Sequence, residues 1–136
     1  MTDARKILDM IEVVDPSDNA TLDEIDVRVW FYLNPHELNM YGSLKEYLKG
    51  VRHNWKGYAK GLRVRHSKAT RSRDALKAIR PEGWMLDLRD YSPVGWYCQM
   101  QKQYECVYTT YQNGKTEELA ELYAIIEAIE YERKNQ

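Results

Sequence analysis

The side chains best suited to bind a ligand lie in the middle of the chain, where positive charge alternates with aromatic rings. An arginine guanidinium can hold a phosphate through two parallel hydrogen bonds, and Trp or Tyr can stack on a base. This combination predicts a binding site for a small anionic ligand such as a nucleotide. The candidate ligand-binding residues are Trp55, Tyr58, Arg63, Arg65, His66, Arg71, Ser72 and Arg73.

Charge is distributed very unevenly along the chain, although the net charge is only −1. Residues 1–48 hold four Lys/Arg and ten Asp/Glu, residues 49–80 hold eleven and one, and residues 81–136 hold five and ten. The basic middle can attract a phosphate-bearing ligand. It can equally pair with the acidic ends of the same chain or of a neighbouring subunit, and the sequence favours neither alternative.

Catalytic groups are not arranged in any pattern typical of an enzyme. His36, His53 and His66 show no paired metal-ligand spacing, and the sequence has neither a phosphate-binding Gly-rich loop nor a nucleophile elbow. Zinc binding by Cys98 and Cys106 with two histidines is an alternative, but cysteines opposed on an apolar sheet face are more simply core residues. We therefore expect a protein that is not an enzyme and needs no metal or cofactor.

Length and composition indicate one domain over residues 1–136, with 43% hydrophobic and 30% charged residues. No stretch reaches the roughly 18 apolar residues of a membrane helix, and the N-terminus lacks an apolar signal segment. Two cysteines are too few for a disulfide framework. We expect a soluble, cytoplasmic protein without membrane contact. Eleven Tyr and four Trp against one Phe favour, weakly, an interface and a homo-oligomer.

Helix signals flank the basic segment on both sides. Apolar periodicity predicts a first helix over about 2–14, and a capping box at Thr21 and Glu24 predicts a second that Pro35 ends. Ser43 is expected to begin a short helix that Gly50 closes. Further helices are predicted from Thr70, as the capping residue, to Arg80, and from about Thr116 onward.

Three strands are expected between the last two helices. Alternation predicts strands that start at Trp84 and Trp96, and a tight turn at 101–103 should place Cys98 opposite Cys106 and Trp96 opposite Tyr108. A further short strand at 62–65 is possible within the basic segment. The order of elements predicts an α+β fold with a small antiparallel sheet of about three or four strands, layered with helices as in an α–β–α sandwich.

The stretch from residue 70 to residue 84 resembles the phage ABA sandwich domain family of small phage and prophage proteins. In that family a "Y-T-x-S-x-D-A" helix leads through "P-E-G-W" into the sheet, and a helix rich in Ala and Leu closes the domain. Ala69 stands where the family has Tyr, and the likeness covers residues 1–33 and 70–130. The resemblance implies a phage origin and a layered fold, but no reaction. The matching residues are Thr70, Ser72, Asp74, Ala75, Pro81, Glu82, Gly83 and Trp84.

These observations together favour a non-enzymatic phage accessory protein that binds and sequesters a small anionic ligand, such as a nucleotide immune signal of the host. Binding alone would silence such a signal. The alternative is a regulator that binds nucleic acid or protein, for example an inhibitor of a host defence complex. A third possibility is a structural oligomer without a ligand, in which oppositely charged segments pair between subunits.

Overall fold

The computed structural model describes residues 2–40, 43–52, 68–93, 95–110 and 112–136. Within these ranges the chain forms five α-helices, one 3₁₀ helix and one three-stranded antiparallel sheet, so the predicted α+β class is confirmed. The helices are α1 (Asp3–Val13), α2 (Asn19–Leu33), α3 (Leu44–Arg52), α4 (Arg73–Ile79) and α5 (Glu117–Lys134), with the 3₁₀ helix at Pro35–Met40. The strands are β1 (Trp84–Ser92), β2 (Gly95–Lys102) and β3 (Gln112–Gly114).

The first two helices begin at short polar side chains that accept backbone hydrogen bonds. Thr2 caps α1 by accepting from the backbone N–H of Arg5 at 3.1 Å. Asp18 caps α2, accepting from the backbone N–H of Thr21 at 3.2 Å and from its hydroxyl at 2.6 Å. The predicted capping box at Thr21 is therefore wrong, because the turn just before the helix already supplies a better cap.

The third helix begins as predicted and ends later. The Ser43 hydroxyl accepts from the backbone N–H of Glu46 at 3.2 Å, which is the expected cap. The helix then passes through Gly50 and continues to Arg52, so the predicted end at Gly50 is wrong. A glycine inside a helix costs only about 1 kcal/mol relative to alanine, which is too little to stop a helix whose Tyr47 and Leu48 are buried.

The helix before the sheet has a different cap from the predicted one. Ser72 caps α4 by accepting from the backbone N–H of Ala75 at 3.3 Å, while Thr70 lies buried two residues earlier. Asp74 lies in the first turn as expected, where its charge suits the helix dipole.

The sheet has another register from the predicted one. Strands β1 and β2 pair from Trp84 opposite Lys102 to Ser92 opposite Gly95, with a bulge between Leu86 and Leu88. Strand β3 lies at 112–114, so Gln112, not Cys106, is opposite Cys98. The chain leaves the sheet after Lys102 through a turn in which Tyr104 is 94% exposed with φ of 65°. The backbone N–H of Lys102 donates to the Val107 carbonyl at 2.9 Å, so the turn covers residues 103–106 and not the predicted 101–103. Cys98 is buried in β2, and Cys106 is exposed in this turn.

Helix α5 forms the centre of the molecule. Most of its residues up to Ile129 are buried, and it packs against β2, β3, α1 and α4. Trp84, Cys98 and Met100 share a single core with residues of α1, α2, α4 and α5. Among the described residues, the sheet is layered with helices mainly through its contacts with α5. The predicted stripe of Leu119, Leu122, Tyr123, Ile126 and Ile129 lies entirely in this core.

Candidate functional site

The N-terminal flank of the basic segment is attached to the outer side of helix α2. Tyr47 and Leu48 of α3 form a small second core with Val27 and Phe31 of α2. The rings of Phe31 and Tyr47 meet edge to face, with their centroids 5.0 Å apart. This packing holds α3, whose last four residues belong to the basic segment, residues 49–68.

The C-terminal flank of the basic segment contacts the same helix at Asp26, the residue before Val27. Thr70 donates two hydrogen bonds to the carboxylate of Asp26, from its backbone N–H at 3.0 Å and from its hydroxyl at 2.9 Å. Asp26 is only 4% exposed, and this burial raises the pKa of its carboxyl group although Thr70 and Arg71 oppose the shift. The two described flanks of the basic segment therefore contact neighbouring residues of one helix, Val27 and Asp26.

Arg71 is neutralised by carboxylates of the protein itself. Its guanidinium donates to Asp23 at 2.5 Å and to Asp26 at 2.9 Å, and its side chain is 26% exposed. These hydrogen bonds raise the pKa of the guanidinium against an opposing effect of burial. The two carboxylates occupy donor groups of Arg71 that a phosphate would otherwise use.

The next two candidate residues also have structural contacts. Ser72 caps helix α4, and Arg73 forms an ion pair with Glu117 in the first turn of α5. At the other end of α4, Arg80 pairs with Glu121, which is 1% exposed. The basic helix is thus joined to the acidic end of the chain by two ion pairs.

The structure does not gather the three described candidates into one hollow. Arg71 faces α2, Ser72 caps its own helix, and Arg73 faces α5. The other predicted ligand-binding residues lie outside the described part of the chain: Trp55, Tyr58, Arg63, Arg65 and His66. Their convergence on a ligand stays a prediction, as does the possible strand at 62–65.

Metal ligation by the two cysteines has no support from their positions. Cys98 is buried in the core and Cys106 is exposed in the turn after β2, and His53 and His66 lie outside the described residues. Among the residues with described coordinates, no group of three or more His, Cys, Asp or Glu side chains could hold a metal ion.

A cleft that the sequence did not predict lies between α1, the C-terminal half of α5 and residues 108–110. Its volume is about 350 Å³, and Glu127 lies partly buried in its wall. The Thr110 hydroxyl donates to Glu127 at 2.5 Å, and burial raises the pKa of this carboxyl group. No local pattern could reveal the cleft, because its walls come from opposite ends of the chain. The lining residues that matter below are Arg5, Leu8, Trp84, Tyr108, Glu130 and Tyr131.

Comparisons with known proteins supply no identity. A scan of protein-family models, a search of curated proteins and a search of solved structures each found no match to this chain. The resemblance to the phage ABA sandwich domain family therefore stays a prediction. None of the helices within the described ranges is long and apolar enough to cross a membrane.

Proposed function

We propose that this chain is a non-enzymatic phage accessory protein that sequesters a small anionic ligand, such as a nucleotide immune signal of the host, through its basic segment. The observation that carries the proposal is the composition of residues 49–68, which hold seven Lys/Arg and no Asp/Glu. Trp55 and Tyr58 add stacking surfaces within the same stretch. A phosphate-bearing ligand is the partner that this combination fits best.

The contacts of the flanking residues support different roles for different arginines. Arg71 and Arg73 pair with carboxylates of the protein, so they stabilise the fold around the site. Ligand binding is then the task of Arg63 and Arg65, together with the nearby rings and His66. Both described flanks of the segment are attached to α2, through Tyr47 and Leu48 on one side of the sequence and Thr70 on the other.

Calorimetric titration of the whole chain with cyclic oligonucleotides and ADP-ribose-type nucleotides tests the proposal. We expect one class of nucleotide to bind with a Kd below about 1 μM, since sequestration of a signal needs tight binding. If circular dichroism shows the protein to be folded and none of these nucleotides binds, the proposal is contradicted.

Paired variants locate the site. Arg63→Gln with Arg65→Gln should weaken nucleotide binding by about tenfold or more, because each guanidinium can contribute a charge-assisted hydrogen bond. The matched control is Lys6→Gln with Lys77→Gln, which removes two exposed positive charges elsewhere and should leave the affinity within about twofold. Equal losses in both pairs would mean that overall charge, not the proposed site, governs binding.

The second candidate function is a regulator that binds nucleic acid or a host defence complex. The same density of positive charge at 49–68 favours nucleic acid, whereas the acidic ends of the chain would repel a long polyanion. A mobility-shift titration with DNA and RNA tests for nucleic-acid binding. An affinity that falls steeply with salt indicates that basic side chains neutralise phosphates of the nucleic acid. Binding without salt dependence would exclude recognition of nucleic acid through its phosphates.

A structural oligomer is the third candidate, and charge would hold it together. If the basic segment pairs with acidic residues of a second copy, light scattering should show a mass that falls when salt is raised. A monomer mass at low salt would contradict this alternative without bearing on nucleotide binding.

A further inference from the structure

The cleft beside Glu127 combines a carboxylate with apolar and aromatic walls. Ala4 and Leu8 of α1 are buried at one side, and Trp84 packs edge to face on Tyr131 at another, with ring centroids 5.7 Å apart. Tyr108 adds a half-exposed ring. A volume of about 350 Å³ lies at the lower end of the range typical of small-molecule sites.

Glu127 lacks a cationic partner among the described residues. Its hydrogen bonds come from the hydroxyl and backbone of Thr110, both neutral groups. Arg5 acts on it only over a longer distance, because its guanidinium donates to Asp9 at 2.9 Å and to the Tyr123 hydroxyl at 3.3 Å. A carboxylate that loses water without gaining a counter-ion is a site where a ligand cation would be stabilised.

The nearer of the cleft's cations to Glu127, Arg5, is itself paired with carboxylates. Glu127 and Glu130 line it, and Asp9 and Glu12 lie behind Arg5, at 2.9 and 3.7 Å from its guanidinium. The lining thus holds two carboxylates and two cations, Arg5 and Lys134, and Arg5 already pairs with Asp9 and Glu12. Aromatic rings also attract cations through their faces. Both features favour a positively charged ligand and disfavour the anion proposed for the basic segment.

We propose that the cleft between α1 and α5 is a second binding site, for a small organic cation whose ammonium or guanidinium group pairs with Glu127 and whose apolar body packs between Leu8 and the rings of Trp84, Tyr108 and Tyr131. The site shares no residue with the proposed anion-binding set. It can therefore fail or succeed independently of the function proposed above.

Tyramine, agmatine and 4-ethylphenol are suitable probes for calorimetry on the full chain. Tyramine carries one ammonium group, agmatine carries a guanidinium and an ammonium group, and 4-ethylphenol has the ring of tyramine without its charge. We expect at least one of the two cations to bind about tenfold or more tightly than 4-ethylphenol, as a charge-assisted hydrogen bond predicts. No binding of either cation, or equal binding of the neutral phenol, would overturn the proposal.

Glu127→Gln tests the pairing residue, with Glu82→Gln as the matched control. Glu82 is exposed in the turn before β1 and does not line the cleft. We expect Glu127→Gln to weaken binding of the tighter cation by about tenfold or more and Glu82→Gln to leave it unchanged. Thermal unfolding checks that both variants are folded. A folded Glu127→Gln protein that binds as the parent does would refute the role of Glu127.

The pH dependence of binding supplies a readout that a purely structural carboxylate would not give. Burial raises the pKa of Glu127, so affinity for the cation should rise with pH as this group ionises. The charged and titratable groups facing it are Arg5 on α1, Tyr108, and Glu130, Tyr131 and Lys134 on α5. Carbonyl-carbon NMR of the Glu127 carboxyl should show its pKa falling when the cation is added. An unchanged pKa at saturating cation would contradict direct pairing.

Discussion

Asp26 is the residue on which the C-terminal flank of the basic segment depends. Its carboxylate accepts two hydrogen bonds from Thr70 and one from Arg71, and all three would lose their acceptor if it were removed. Burial makes the ionised form costly, and the two partners together offset that cost only in part. The Asp26 carboxylate therefore mainly fixes the position at which Thr70 contacts α2.

We expect Asp26→Ala to lower the free energy of unfolding by about 2–3 kcal/mol, because it leaves buried donors of Thr70 and Arg71 without an acceptor. Asp26→Asn should cost about 1–2 kcal/mol less than the alanine variant, since an amide oxygen can still accept from Thr70. Urea denaturation measures both.

Asp23→Ala is the control for this prediction. Asp23 contacts the same guanidinium, but its side chain is 45% exposed, so its loss should cost less than about 1 kcal/mol. Equal effects of Asp23→Ala and Asp26→Ala would mean that Arg71, not the Thr70 anchor, carries the stabilisation.

Elements whose signals are local could be predicted from the sequence, and elements set by distant contacts could not. The N-terminal ends of α1 and α5 could be predicted because Thr2 and Thr116 precede them. Each hydroxyl accepts a hydrogen bond from the backbone N–H of the residue three positions later. The pairing of β2 depends on where the chain turns after it, and the turn lies at residues 103–106 instead of the predicted 101–103. Strand register therefore had to come from tertiary packing of β3 on α5.

Gly114 shows how close that packing is. A Cβ atom at this position would lie 2.5 Å from the backbone nitrogen of Ala120 in the first turns of α5. Backbone cannot yield as a flexible side chain would, so Gly114→Ala should lower the free energy of unfolding by about 2–3 kcal/mol. Urea denaturation of the variant checks this value.

Gly83→Ala is the matched comparison at the start of the sheet. Gly83 has open space around it but a φ of 84°, so an added methyl group meets only backbone strain of about 1 kcal/mol. A larger loss for Gly83→Ala than for Gly114→Ala would contradict the close approach of β3 to α5.

At the scale of the whole molecule, the sequence shows how charge is distributed along the chain, but it does not show which charged residues pair. The sequence left open whether the basic middle pairs internally or with an external anion. In the described residues, Arg71 pairs with the acidic N-terminal part, and Arg73 and Arg80 pair with the acidic C-terminal part. Part of the asymmetry is therefore used to join the three segments. Which carboxylate meets which guanidinium depends on helix packing that no spacing rule encodes.

These pairs make stability sensitive to salt. Because Arg73 is 52% exposed and its partner Glu117 is 14% exposed, screening should weaken this pair more than the Arg80 pair, whose partner Glu121 is buried. We expect the free energy of unfolding in urea to fall by about 1 kcal/mol between about 0.05 and 1 M NaCl. Arg73→Gln should reduce this dependence, whereas Lys77→Gln, at an exposed position of the same helix, should not. If salt leaves unfolding unchanged but lowers the mass seen by light scattering, opposite charges pair between copies instead of within one chain.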